Sequence, residues 1–412
     1  MTMRIAVLAS EFPVLSETPF LNQITGLVRR GHAVAILAER PQAGVAFHPE
    51  IERLGLAPRY PLALPSRGRW RAAARLLRAR PPGERRVLLR TLDPFRFWHR
   101  AWTLEEFRRA AGVLPRVHYD ACYAAFGQDG LRALRLLRSG ALSGPLAVAF
   151  RGADITKFVA LRGPRVYRRL FRRAALLLPV CDVFARRLEA LGAPPDRVVV
   201  HRTGIDLARW RWRDRAGEPD APLRLVSVGR LVEKKGIGYV LEAVRRLRDA
   251  RVAVEYEVLG DGPLRAALEA QARRLAVEER VRFLGWQSQD QVALALDRAE
   301  VLVAASVTAA NADEEGIPNV LKEAMAVGLP VVSTANGGIA ELVEHEATGL
   351  VVPERDPGAL AARLAELARR PERRAALARA GRARVERDSD IERLNDRLVT
   401  LFAGLSRTAG TA

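Results

Sequence analysis

Arg230 and Lys235 frame a short loop, Ser227-Val228-Gly229-Arg230-Leu231-Val232-Glu233-Lys234-Lys235-Gly236. An apolar run ends at Gly229 and a helical pattern begins near Ile237, so both cations belong at the carboxyl edge of a sheet, facing a cleft. A guanidinium can clamp two phosphate oxygens, and an ammonium adds a compact point charge. Toward a diphosphate leaving group, two fixed cations favour the transition state over the ground state. Of 67 basic residues only Lys157, Lys234, Lys235 and Lys322 are lysine, and two of these stand side by side here. The bland reading, a solvated basic turn, weighs about equally on this loop alone.

A second constellation is Asp313-Glu314-Glu315-Gly316-Ile317-Pro318-Asn319-Val320-Leu321-Lys322-Glu323-Ala324-Met325-Ala326. Pro318 suits the first position of a helix and Gly328 its end. Glu315 then falls in the loop before the helix, and Glu323 about one and a half turns inside it. Backbone N–H groups from Gly316 through Ile317 and Pro318 to Asn319 (proline excepted) make a helix start of this kind an anion site. Glu315 and Glu323 can accept hydrogen bonds from sugar hydroxyls. Asp313, Glu314 and Glu315 read equally as ordinary acidic capping.

The elements that must position these residues form two α/β units. A chain of 412 residues suits two domains. Apolar runs mark strands at Arg4–Ser10, His32–Ala38, Leu146–Phe150, Ala174–Val180 and Val198–His201 in the first half. Residues 50–118 are basic and helix-prone. In the second half the runs are Leu223–Val228, Val254–Leu259, Val281–Leu284, Val301–Ala304, Pro330–Ser333 and Gly349–Val352, each separated by a helical segment. Such alternation predicts parallel sheets covered on both faces. The expected division is 1–205, a linker at 206–222, 223–385, and a C-terminal helix and tail at 386–412.

Taken together, the Gly-Arg…Lys-Lys-Gly loop and the Glu315/Glu323 E-x7-E pair resemble the donor site of retaining glycosyltransferases of family four. Also similar are Ser10-Glu11-Phe12-Pro13…Ser16-Glu17-Thr18, His201-Arg202-Thr203-Gly204-Ile205-Asp206, Gly260-Asp261-Gly262-Pro263, Gly337-Gly338-Ile339-Ala340-Glu341-Leu342-Val343 and Gly349-Leu350-Val351-Val352-Pro353. The run from Glu314 to Ala326 resembles the bacterial exopolysaccharide subgroup that assembles colanic-acid-type repeats. The resemblance implies a GT-B fold, two facing Rossmann-like domains with an interdomain cleft. It implies that Arg230 and Lys235 bind the pyrophosphate of a UDP- or GDP-sugar, Glu315 the transferred sugar and Glu323 the ribose. Gly260, Gly316, Ile317 and Pro318 would complete the donor side, with Asn336, Gly337 and Gly338 at the next strand end. Ser16, Glu17, Thr18 and Asp154 would lie on the acceptor side. Retention without a metal and without a cofactor is implied, the donor phosphate itself taking the acceptor's proton.

One position departs from that pattern. Where many members carry a histidine after the strand corresponding to Leu146–Phe150, this chain has Arg151, which is protonated throughout the physiological range and cannot act as a base. At a strand's carboxyl end it is expected to contact the donor sugar or an anionic acceptor.

Weaker signals are assigned to structure. Asp388-Ser389-Asp390 precedes the last helix, where an N-cap is expected. The six histidines show no metal-ligand spacing, so no metal is expected. Cys122 and Cys181 form no disulfide framework, and no apolar run approaches membrane-spanning length, which gives a cytoplasmic expectation. A net charge of +20 points to anionic lipid or a phosphate ligand; no nucleic-acid module is present, so nucleic acid is not expected. The cluster Phe95-Arg96-Phe97-Trp98-His99-Arg100-Ala101-Trp102, with Trp70, reads as packing within a helical subdomain slightly ahead of contact with the inner face of a membrane. The expected partners are therefore a nucleotide-sugar donor, a glycan or lipid-linked acceptor and an anionic membrane surface. Rival readings are a donor-binding protein without turnover, transfer to a small soluble acceptor, and a sugar-nucleotide epimerase.

Overall fold

A computed structural model describes residues 2–12, 18–41, 51, 53–213 and 221–409. The first half forms a five-stranded parallel sheet from β1 (Arg4–Glu11), β2 (Ala33–Arg40), β3 (Ala121–Ala124), β4 (Leu146–Phe150) and β5 (Leu176–Pro179), in the order β2-β1-β3-β4-β5. The second half forms a six-stranded parallel sheet from β6 (Leu223–Val228), β7 (Val254–Leu259), β8 (Val281–Gly285), β9 (Val301–Ala304), β10 (Val331–Thr334) and β11 (Leu350–Val352), in the order β11-β10-β9-β6-β7-β8. Every residue of β3, β4 and β5 is buried, as expected of strands with helices on both faces.

Strand order fixes where a ligand can sit. In the second sheet the chain runs outward from β6 through β7 and β8, then returns to β9 on the opposite side of β6. The loops after β6 and β9 therefore diverge at a topological switch point, the crevice where open α/β sheets bind ligands. Those loops carry Arg230–Lys235 and Glu315.

Two sequence expectations change. Val198–His201 forms no strand: Val199 and His201 donate to Leu177 and Pro179 carbonyls along the edge of β5, but only Val198 makes a bridge. The segment Ala121–Ala124 is a strand, central in its sheet, where no strand was expected. The last helix runs from Ile391 to Ala409 and packs on the first domain. Leu398, Phe402 and Leu405 join that domain's core, the Phe402 ring lies 5.3 Å from Tyr123, and Arg30 pairs with Glu392 and Asp396. The chain thus crosses back after completing the second domain.

Candidate active site

Lys235 closes a one-turn helix, Glu233–Lys235, and Gly236 (φ +63°) reverses the backbone into the Ile237–Asp249 helix. A Cβ on Gly236 would lie 1.8 Å from the Ala305 carbonyl, so the loop after β6 lies directly on the loop after β9. The contact brings Lys235 Nζ to 2.7 Å from Glu315 Oε1 and Lys234 Nζ to 3.1 Å from Asp313 Oδ1. Glu315 is buried. Burial pushes its carboxyl up, but Lys235, Lys234 and Arg230 outweigh that and hold it below the usual range. Arg230 is exposed and makes no side-chain hydrogen bond or ion pair among the described residues. It is a cation left available at the mouth of the crevice.

Glu315 is fixed from behind. Its N–H donates to Asn336 Oδ1 at 2.9 Å, and Asn336 Nδ2 donates to Glu354 Oε1 at 2.7 Å and to Thr308 Oγ1 at 3.2 Å. Glu354 also accepts from the Thr308 N–H at 2.8 Å. Gly337 (φ +53°) lets the loop after β10 reach this network: a Cβ there would stand 1.8 Å from the Glu315 carbonyl. Gly260, at the end of β7, is pressed against Gly229 in the same way. The Asn319–Ala326 helix begins one residue after the expected position, with Pro318 as its N-cap. Gly316, Ile317 and Pro318 lead into it beside Glu315.

The first domain closes over this loop. Cβ atoms built on Gly152 and Gly316 would approach the Glu314 and Arg151 carbonyls. Arg187 pairs with Glu314 at 2.9 Å. Glu341 accepts from the N–H groups of Asp182 and Val183 and from Arg202, so a carboxylate of one domain caps a helix of the other.

Comparison with known proteins assigns the family. Residues 208–384 match the family "Glycosyl transferases group 1". WcaL of Salmonella typhimurium, named for colanic acid biosynthesis, is 37% identical over 374 residues, covering 89% of this chain and 91% of that one. The chain is a group 1 glycosyltransferase. AmsK of Erwinia amylovora, an amylovoran biosynthesis glycosyltransferase, is 34% identical over 93% of this chain and 95% of its own. Solved structures give the glycosyltransferase its GT-B fold: Anabaena HepE, crystallised with UDP and glucose, superposes with a TM-score of 0.71 at 18% identity, over 98% of this chain and all of that one. The sucrose-phosphate synthase of Thermosynechococcus elongatus gives 0.71 at 17% identity over the same shares.

The remaining expected residues of this glycosyltransferase fall as follows. Glu323 does not share the Lys235 cluster; it lines a cavity of about 130 Å³ with Asn319, Arg209, Trp210 and Gln289. Burial raises its carboxyl to about 7 against the pull of Lys322 and Arg209. Arg151 turns back into the first domain: Nε donates to the Ala125 carbonyl and Nη2 to Gln23 and Tyr123, with the Phe20 and Phe126 rings against the guanidinium. Asp154 is buried and accepts from the N–H groups of Gly127, Arg151 and Gly152. Ser16 and Glu17 lie outside the described residues, and Thr18 opens the first helix. Asp390 accepts from the Glu392 N–H at the start of the last helix, a capping role, while Asp388 pairs with Arg384 and Arg387. No group of three or more His, Cys, Asp or Glu among the described residues is arranged to hold a metal ion.

Sequence reasoning missed Glu354 and Thr308. Neither stands in a site motif; the order β11-β10-β9 brings them to Asn336.

Proposed function

We propose that this glycosyltransferase moves a sugar from a UDP- or GDP-sugar to a polysaccharide or lipid-linked oligosaccharide acceptor during exopolysaccharide assembly, with retention and without a metal. The observation that carries the reading is the available Arg230 guanidinium beside the Lys235–Glu315 pair at the switch point of the second sheet. The names of WcaL and AmsK support the exopolysaccharide setting, and HepE, with UDP and glucose in the same fold, supports the donor class.

Arg230 and Lys235 hold the diphosphate and stabilise the charge it gains as the bond to the sugar's anomeric carbon breaks. Glu315 accepts hydrogen bonds from the transferred sugar, and Glu323 from the ribose. The acceptor oxygen bonds to the anomeric carbon from the side the diphosphate leaves, and its proton passes to the departing phosphate oxygen. Ser16, Glu17 and Thr18 are assigned to the acceptor on the motif resemblance alone. Arg151 and Asp154 act by holding the loop after β4 that roofs Glu315. The setting is the cytoplasmic face of a membrane, with peripheral contact; no helix among the described residues is long and apolar enough to cross one.

The test is a thermal-shift screen with UDP-, GDP- and dTDP-sugars, followed by NMR of the product's anomeric linkage. A nucleotide sugar at a hundredfold its Kd adds about 2.7 kcal/mol of stability. Stabilisation by none of them, or a product of inverted configuration, rejects the assignment.

A further inference from the structure

Between β2 and β3 the first domain inserts the helices Arg69–Ala79, Pro82–Thr91, Pro94–Phe97, His99–Trp102 and Glu105–Val113. The insert divides its aromatic residues between core and surface. Phe97 and Ala101 point inward and are buried. Phe95, Trp98 and Trp102 are 100%, 79% and 66% exposed, and Leu89 and Trp70 follow at 51% and 43%. The packing expected for the cluster therefore holds for Phe97 and not for its neighbours. Asp93 caps the turn, accepting from the Phe95 and Arg96 N–H groups, and Trp98 sits at φ +52° between the two one-turn helices. A positive φ is costly for a large side chain, and the buried anchors on either side hold it there.

The same segment concentrates charge. Residues 67–102 contain eleven arginines and two acids, Glu84 and Asp93, so 36 residues carry nine of the chain's net +20. Arg67, Arg69, Arg71, Arg75, Arg78 and Arg86 are exposed, and their side chains form no ion pair or hydrogen bond among the described residues. Exposed indoles and unpaired arginines on one inserted segment match an interface where rings enter the headgroup layer and guanidiniums stay at the phosphates.

We propose that Phe95, Trp98 and Trp102, with the exposed arginines of the same insert, dock this domain on an anionic phospholipid bilayer. The charge excess selects the anionic lipid, and rings with about two thirds or more of their surface exposed suit a fluid surface. The proposal rests on the function above only for its use, delivery of a lipid-linked acceptor; the docking itself needs no donor.

The experiment is co-sedimentation of the full chain with vesicles of phosphatidylcholine alone and with 30% phosphatidylglycerol (roughly the anionic content that a polybasic segment senses). Indole quenching by brominated lipid is read in parallel on the unaltered chain. Expected are binding to the anionic vesicles only, quenching on binding, and a loss of at least about tenfold in Phe95→Ser/Trp98→Ser/Trp102→Ser. The triple variant should keep its circular-dichroism melting temperature and its shift with nucleotide sugar, which separates a failure of docking from a failure of the donor assignment. Equal binding to neutral vesicles, no quenching, or undiminished binding by the triple variant overturns the proposal. So does a wild-type dimer in sedimentation velocity that the triple variant abolishes, because the rings would then be covered by a second copy.

Discussion

Lys235 Nζ lies 2.7 Å from Glu315 Oε1, so the cation assigned to the diphosphate and the carboxylate assigned to the sugar are one ion pair. Removing the negative charge frees the lysine for phosphate. Glu315→Gln is therefore expected to bind UDP or GDP as tightly as the parent or more tightly, while turnover falls about 100-fold or more through loss of a charged hydrogen-bond acceptor. Calorimetric titration beside steady-state rates checks both halves; a weakened affinity for the free nucleotide would contradict the arrangement.

Arg230 and Lys235 should separate on stability and on pH. Arg230 is exposed and unpaired among the described residues, so Arg230→Ala should change stability by less than about 0.5 kcal/mol. Its kcat/KM should drop roughly 100- to 1,000-fold. Lys235→Ala removes the nearest partner of a buried carboxylate, leaving Lys234 at 3.9 Å. The Glu315 carboxyl then rises, and the acid limb of the pH–rate profile moves to higher pH than in Arg230→Ala. Identical acid limbs in the two variants would show that Lys235 does not set the ionisation of Glu315.

Asn336 and Glu354 should act by placing Glu315. Asn336→Ala leaves the Glu315 N–H without its acceptor, at about 1–3 kcal/mol, and releases the loop before the Asn319–Ala326 helix. Glu354→Gln alters the charged hydrogen bond to Asn336 and keeps the shape. Both should lower kcat about tenfold with little change in donor KM, since misplacement acts mainly on the transition state. A rise in KM with kcat intact would mean instead that Asn336 or Glu354 contributes to ground-state donor binding.

The legibility of these parts in the sequence follows from how local each one is. Leu223–Val228, Val254–Leu259 and Val301–Ala304 are legible to the residue because the first two begin with apolar–polar alternation and the third is a short apolar run. Ala121-Cys122-Tyr123-Ala124 is not, being four residues with two alanines of low strand preference; its place between β1 and β4 makes it a strand. The Arg230 and Glu315 loops were legible because their chemistry lies in short motifs. Glu354 was not, because its contact with Asn336 exists only once β11 lies beside β10. Docking of the last helix against Tyr123 was equally hidden, since an amphipathic face does not name its partner.

Arg151 should behave as a structural arginine of the first domain. Its guanidinium donates to Ala125, Gln23 and Tyr123 and stacks near two rings, so Arg151→Ala takes the donor from the buried Ala125 carbonyl and leaves Gln23 and Tyr123 only their bond to each other, beside an unfilled space. The expected cost is about 2–3 kcal/mol, read as a lowered Tm with and without nucleotide. Nucleotide affinity should change less than about threefold, because the side chain points away from the diphosphate cations. Unchanged stability with lost turnover would return Arg151 to direct contact with the reacting sugar.

His201 should give the junction between the domains an acid-sensitive component. The ring is buried, neither nitrogen has a hydrogen-bond partner, and burial with the nearby Arg397 and Arg151 pushes its pKa down to about 3. The unfolded histidine titrates near 6.5, so between that pH and about 3 the unfolded chain binds a proton that the folded chain refuses. Stability therefore falls as the medium is acidified below pH 6.5, by up to about 1.4 kcal/mol per unit from this group. His201→Leu removes the titration without removing a hydrogen bond. Its urea-unfolding free energy should match the parent within about 1.5 kcal/mol at pH 8 and exceed it increasingly from pH 6 to pH 5. Parallel pH dependences for parent and variant would show that the ring is protonated as readily in the fold as in the open chain.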